Sequence, residues 1–258
     1  VDGQRLLCVG RNNFAQIFLP ASFAELMTIT GKDAHHISHV LRMKVGQQLQ
    51  IVSNDQVSAL MEIEAITEAV VSVRLVEKLA ACNEPSVRII LAQGLPKSDK
   101  MDFIVQKAVE MGVSEIIPVS MDNCVVQLDA EKARKKTDRW QKIVEEAAKQ
   151  SKREIVPQVS TPLTLKQLLA LKQGVELKIV AYEVEDRRGL KELLQSQKSV
   201  KEILLLIGPE GGISKEELDL LKEGGMTSVS LGKRILRTET AGLATVAAIL
   251  YETGDFGG

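Results

Sequence analysis

Cysteine is scarce and unpatterned: the chain has three, Cys8, Cys82 and Cys124, far apart and with no CxxC spacing. That argues against both a disulfide framework and a structural zinc site, and it suits a reducing compartment. Net charge is missing as well. Thirty-three Lys and Arg against 34 Asp and Glu leave −1, so no global positive field draws a polyanion, and any nucleic-acid contact must use a local basic patch. No uninterrupted apolar run approaches the roughly 18 to 20 residues that span a bilayer, and no basic segment leads into an apolar one near the N-terminus. The reading is a cytoplasmic protein with no membrane segment.

Two nucleotide fingerprints are also absent. Neither G-x-G-x-x-G with a downstream acid nor G-x-x-x-x-G-K-[ST] occurs, which sets aside a Rossmann dehydrogenase and a P-loop ATPase. The three histidines all fall in His35-His36-Ile37-Ser38-His39. On a helix His35 and His39 share a face at i, i+4, but no cysteine is near as a third ligand and H-E-x-x-H is not formed, so no metal is expected.

What is present is an ordinary globular composition, 45% hydrophobic and 26% charged over 258 residues, which admits one large or two modest domains. Short β runs, Gln48 to Val52, Val57 to Ile66 and Val70 to Val76, predict a small β domain with one helical interruption near Asp33 to Leu41. The texture changes at Leu79 to Pro85, and the expected division is residues 1–80 and 81–258. Val87 to Ala92 predicts a strand buried on both faces of a parallel sheet. Asp99 to Gly112 predicts a helix capped by Ser98 or Asp99, followed by a strand at Glu115 to Val119, a helix at Ala130 to Gln150 and a strand at Leu177 to Val184. The fold class is therefore α/β.

The last sixty or so residues carry the most information. A buried strand, Ile203 to Ile207, ends in Gly208-Pro209-Glu210-Gly211-Gly212, and Ser214-Lys215-Glu216-Glu217 is a capping box. A glycine-rich loop at the carboxyl end of a parallel strand occupies the place where open α/β sheets bind ligands, although spacing alone is equally compatible with a turn that only reverses the chain. A short strand, Ser228 to Leu231, then leads through Gly232 to Ala241 into an Ala-rich final helix.

The stretches Leu206 to Ser214 (LIGPEGGIS) and Leu231 to Ala241 (LGKRILRTETA) resemble the two signature loops of the ribosomal small subunit methyltransferase E family. The resemblance extends to Lys97 to Asp102, Gln106 to Ala108, Glu110 to Ser114, Arg139 to Lys142, Glu146 to Ser151 and His36 to Gly46. It implies a PUA-like β-barrel followed by a SPOUT α/β domain with a C-terminal trefoil knot, and methylation of N3 of a uridine in 16S ribosomal RNA of the small subunit. It implies S-adenosylmethionine as methyl donor, held by Leu206, Ile207, Gly208, Pro209, Glu210, Gly211, Leu231, Gly232, Ile235, Leu236, Thr240 and Ala241. A homodimer is implied too.

Methyl transfer to a ring nitrogen calls for positioning and removal of the N3 proton. Arg237, with its fork of donors, is the candidate to stabilise charge on the uracil carbonyls, and Glu239 or a water is the candidate proton acceptor. Arg42, Lys44, Lys97 and Lys100 are candidates for gripping RNA phosphates. A SPOUT enzyme acting on a ribose 2'-oxygen and a non-catalytic RNA-binding assembly protein are the alternatives.

Overall fold

The computed structural model describes residues 14–67, 69–79, 83–185, 188–197 and 199–257, so Cys8, Cys82 and part of the Leu79 to Pro85 segment lie outside the described residues. The chain forms two units. The first takes in the chain up to Glu84 and, from much later, Lys152–Ile155; the second takes in Pro85–Ser151 and Val156 onward.

The first unit is built on a five-stranded sheet of β1 (Gln16–Leu19), β2 (Leu26–Thr30), β3 (Gln48–Ser53), β4 (Ser58–Ile66) and β5 (Val70–Lys78), in the order β1-β3-β4-β5-β2. β1 runs parallel to β3, and the other pairings are antiparallel. Alternation in β4 places Ala59, Met61 and Ile63 on the core face, as its period-2 pattern predicts. Short helix α1 (Gly31–His35) supplies Ala34 to this core and continues into a π-helical turn, His36–Val40, which supplies Ile37. That turn ends with the Met43 N–H reaching back to the Ile37 carbonyl and Arg42 in the left-handed region at φ +53°. A non-glycine residue there costs roughly 1–2 kcal/mol.

Lys152–Ile155 joins this unit through a carboxylate. Glu84 accepts Arg153 Nε and the backbone N–H groups of Glu154 and Ile155, with Arg153 Nη2 bonded to its second oxygen. The Arg153 side chain is only 3% exposed.

The second unit has a parallel sheet of β6 (Arg88–Gly94), β7 (Glu115–Ser120), β8 (Gln158–Val159), β10 (Leu177–Ala181), β11 (Glu202–Ile207) and β12 (Thr227–Val229), ordered β12-β10-β11-β6-β7-β8, with the two-residue strand β9 (Leu163–Thr164) pairing β7. Between them run α2 (Lys100–Glu110), α3 (Ala130–Gln150), α4 (Leu165–Leu171), α5 (Leu190–Ser196), α6 (Lys215–Glu223) and α7 (Thr238–Thr253). β6 and β11 are buried nearly throughout, as continuous apolar runs in a covered parallel sheet must be. β11 inserts between β6 and β10, both of which precede it in the chain.

Two expectations need correction here. The β10 strand stops at Ala181, before Val184, which is 70% exposed. Helix α2 has Asp99 as its N-cap but no capping hydrogen bond from that side chain, and Ser98 instead takes φ +57° in the preceding turn. The expected cap of α6 does form, with Ser214 and Glu217 bonding reciprocally. Two motifs of the sequence turn out to join helices to their neighbours: Trp140 Nε1 and the Arg139 guanidinium both donate to Asp102 of α2, and Gln141 brackets β8 through Pro157 O and Val159 N.

Candidate active site

All the parallel strands of the second unit end on one edge. From β6 the chain leaves toward β7, and from β11 it leaves toward the opposite side, so the crevice between β6 and β11 is the switch point where open α/β sheets take ligands. Gly94 closes β6 there, and a Cβ on it would stand 2.6 Å from Pro209 N and 2.9 Å from Gly208 C. Only glycine lets the Gly208-Pro209 turn lie against the end of β6.

This turn is pinned from below by a buried relay. Gln93 Nε2 donates to Thr238 Oγ1 at 2.8 Å, and Thr238 Oγ1 donates to the Gly208 carbonyl at 2.6 Å. Thr238 is the first residue of α7, so one hydroxyl ties the end of β6, the glycine turn and the start of the last helix together. Thr238→Val keeps the shape but removes both bonds. We expect a stability loss of about 1–3 kcal/mol in urea unfolding; a change under about 0.5 kcal/mol would show that the relay is not part of the scaffold.

On the far side the loop after β7 completes the clamp. Ser214 Oγ donates to Asp122 Oδ2 at 3.0 Å, the Asp122 N–H donates to Glu217 Oε1 at 2.8 Å, and Asn123 Nδ2 donates to Gly212 O at 3.2 Å. Gln93, Gly94, Asp122 and Asn123 were not singled out in the sequence. Gly94 closing a buried strand was the one readable signal, since glycine inside such a strand marks close backbone approach.

The second signature loop borders a cavity of about 750 Å³ lined by Leu231, Gly232 and Leu236 together with Ser230, Leu190, Leu194 and the α7 residues Ala244, Thr245, Ala247 and Ala248. Gly232 turns at φ +105°. Of the other expected cofactor residues, Leu206, Ile207, Pro209 and Ala241 are buried, Gly208 is half-buried, and Glu210, Gly211 and Thr240 lie at the exposed edge. Ile235 is 87% exposed and does not line the cavity.

The expected catalytic pair sits at the start of α7. Arg237 is the N-cap, exposed, with its carbonyl accepting the Thr240 and Ala241 N–H groups and no capping hydrogen bond from its side chain. Glu239 lies in the first turn, where a carboxylate favours the helix dipole. Its Oε2 is buried, accepts no hydrogen bond of good geometry, and stands 3.3 Å from Lys100 Nζ. The same ammonium is 3.0 Å from Glu210 Oε1. Burial raises the Glu210 carboxyl, but hydrogen bonds from Lys100 and from the backbone N–H groups of Glu210 and Lys97 outweigh it and hold the group below its ordinary range. The hydrogen bond to Glu210, aided by Glu239, pushes the Lys100 ammonium up. Lys97 thus contributes its backbone to this site.

In the first unit, Arg42 and Lys44 are exposed. The His35 and His39 rings stack with centroids 4.5 Å apart, and among the described residues no group of three or more His, Cys, Asp or Glu gathers to hold a metal. No helix among the described residues is long and apolar enough to cross a membrane.

Residues 83–250 match the RNA methyltransferase domain family and residues 29–74 the RNA methyltransferase PUA domain family. A Bacillus subtilis protein named Ribosomal RNA small subunit methyltransferase E is 38% identical over 234 residues, spanning 89% of this chain and 91% of its own. The chain belongs to the ribosomal RNA small subunit methyltransferase E family. A member of this family from Rickettsia conorii is 30% identical over 240 residues, 92% of this chain and 95% of its own. The crystal structure of the family member from Neisseria gonorrhoeae bound to S-adenosyl methionine matches with a TM-score of 0.81 at 29% identity, covering 95% of this chain and 100% of that one. A methyltransferase from Legionella pneumophila in complex with the same cofactor matches with a TM-score of 0.79 at 30% identity, covering 93% and 98%.

Proposed function

We propose that this protein transfers the methyl group of S-adenosylmethionine to N3 of a uridine in 16S ribosomal RNA of the small subunit. The observation that carries the reading is the convergence of both signature loops on the carboxyl edge of the sheet, joined through Thr238 and Lys100, with the second loop bordering an apolar cavity of about 750 Å³. That volume lies within the range of sites for ligands of this size. Membership of the family, and the cofactor in the Neisseria gonorrhoeae structure, support it.

The donor supplies an electrophilic methyl on a sulfonium, and the chain supplies the rest. Leu231, Gly232 and Leu236 line the adenine slot, Gly208 to Gly211 and Thr240 offer backbone and polar edges, and Leu206, Ile207 and Ala241 pack behind them, while the exposed Ile235 has no contact with the slot until a ligand or partner covers it. Arg237 stabilises charge on the uracil carbonyls as the N3 proton leaves, and Glu239 or a water accepts that proton.

Residues 1–80 act as a PUA-like RNA-binding barrel, with Arg42 and Lys44 on phosphates; in the catalytic domain, residues 81–258, Lys97 is a phosphate contact of its own. The C-terminal segment forms a trefoil knot of the SPOUT kind, an exception to ordinary chain topology. The enzyme works as a homodimer in the cytoplasm.

The test is transfer of labelled methyl to small ribosomal subunits lacking the modification, followed by nucleoside mass analysis. The expected product is 3-methyluridine. A 2'-O-methyl nucleoside would move the activity to the ribose, and no transfer together with no cofactor binding in calorimetry would leave only an RNA-binding protein.

A further inference from the structure

We propose that Lys100 is a positioning residue of this site, an electrostatic tie between Glu210 and Glu239, and that it does not contact RNA phosphate. The inference rests on the methyltransferase reading for its consequence in catalysis, but its structural half stands on the geometry alone. Lys100 opens α2, Glu210 follows β11 and Glu239 lies in the first turn of α7. One ammonium meets carboxylates from both later segments, at 3.0 Å and 3.3 Å.

Three features favour a tie over a phosphate grip. The ammonium is already committed to two carboxylates, and with them forms a cluster of net −1 that repels an incoming phosphate. Lys100 is more sheltered than a free surface lysine, with its side chain 30% exposed. Glu239 Oε2 is buried with no hydrogen bond, so the Lys100 charge is what compensates it. Glu210 has a second anchor in the Lys97 N–H, at 3.1 Å to Oε1. Removing Lys100 therefore releases the start of α7 more than the glycine loop.

The experiment compares full-length wild type with Lys100→Met, Lys100→Arg and Lys97→Met in three readouts. These are kcat and KM for methyl transfer to small subunits, the salt dependence of RNA binding, and amide hydrogen exchange of residues 208–212 and 237–241. For Lys100→Met we expect kcat to fall about tenfold or more, as misplacement of reacting groups does. Its KM for RNA and its salt slope should stay at the wild-type value, and exchange should quicken most in residues 237–241. Lys100→Arg should restore most of kcat and the slow exchange, which loss of a structural contact at one carboxylate alone would not predict. Lys97→Met gives the contrast: a salt slope shallower by about 0.7 to 0.9 if a phosphate contact is lost.

The proposal is overturned if Lys100→Met flattens the salt slope by that amount while exchange is unchanged, or if kcat is untouched in protein that is folded at the assay temperature. Absence of methyl transfer by wild type would sink the methyltransferase reading instead, and the salt slope and exchange would still decide whether Lys100 is a tie.

Discussion

Replacing Arg237 by alanine lowers kcat for methyl transfer by about 100- to 1000-fold, the effect of deleting a donor aimed at developing charge, while cofactor affinity and melting temperature stay near wild type. The expectation follows from how the residue is held. Its backbone is fixed, because its carbonyl accepts two N–H groups of the first turn of α7, and its guanidinium makes no capping bond that truncation would forfeit. The helix start therefore survives the change. Arg237→Lys should recover only part of the rate, since it keeps the charge and loses the planar fork. Calorimetry with S-adenosylmethionine, a thermal melt and single-turnover kinetics on the same preparations separate the cases. A variant with wild-type kcat would remove Arg237 from the chemistry, and a large fall in melting temperature would make it part of the scaffold.

The largest stability effect is expected in the first unit. Glu84→Ala should cost about 3–5 kcal/mol, the usual penalty for deleting one member of a buried ion pair. The carboxylate is an acceptor for the buried Arg153 guanidinium and for the N–H groups of Glu154 and Ile155. Replacing the pair together, Glu84→Leu with Arg153→Met, should recover part of the loss, because no buried charge is then left without its counter-charge. It cannot recover all of it, since the two backbone donors still lack their acceptor. Urea unfolding of the three variants measures this; a loss under about 1 kcal/mol for Glu84→Ala would mean that solvent or neighbouring groups replace the carboxylate.

Elements whose own residues carry a clear period were readable from the sequence, and so was the cap of α6, whereas the capping box of α4, Thr164 with Gln167, was not picked out beside so short a helix. Helix α3 runs over Ala130–Gln150 as its apolar spacing predicts, and the Ser214–Glu217 box forms because its partners are only three residues apart. The misses have physical causes. Helices α4 and α5 have seven residues each and strands β8 and β9 two each, too short to display a period. The π-helical turn at His36–Val40 is a local change of winding that spacing does not show. The family resemblance named residues of the site, but it did not show which of them meet. Lys100 finds its carboxylates in segments far later in the chain, and Thr238 finds Gln93 and Gly208 in segments that precede it.

The position of β11 also bears on when the protein becomes an enzyme. A strand that slots between two earlier strands cannot be added at the edge of a sheet already formed, so β6 and β10 come into one sheet only once β11 is made. Its contacts are long-range, and long-range parallel pairing is slow to form. Every group that pins the glycine turn from α7 is made later still. A chain that terminates just before α7 therefore has every strand of its sheet but neither Thr238 nor Glu239 to finish the site, and such a product would be inactive.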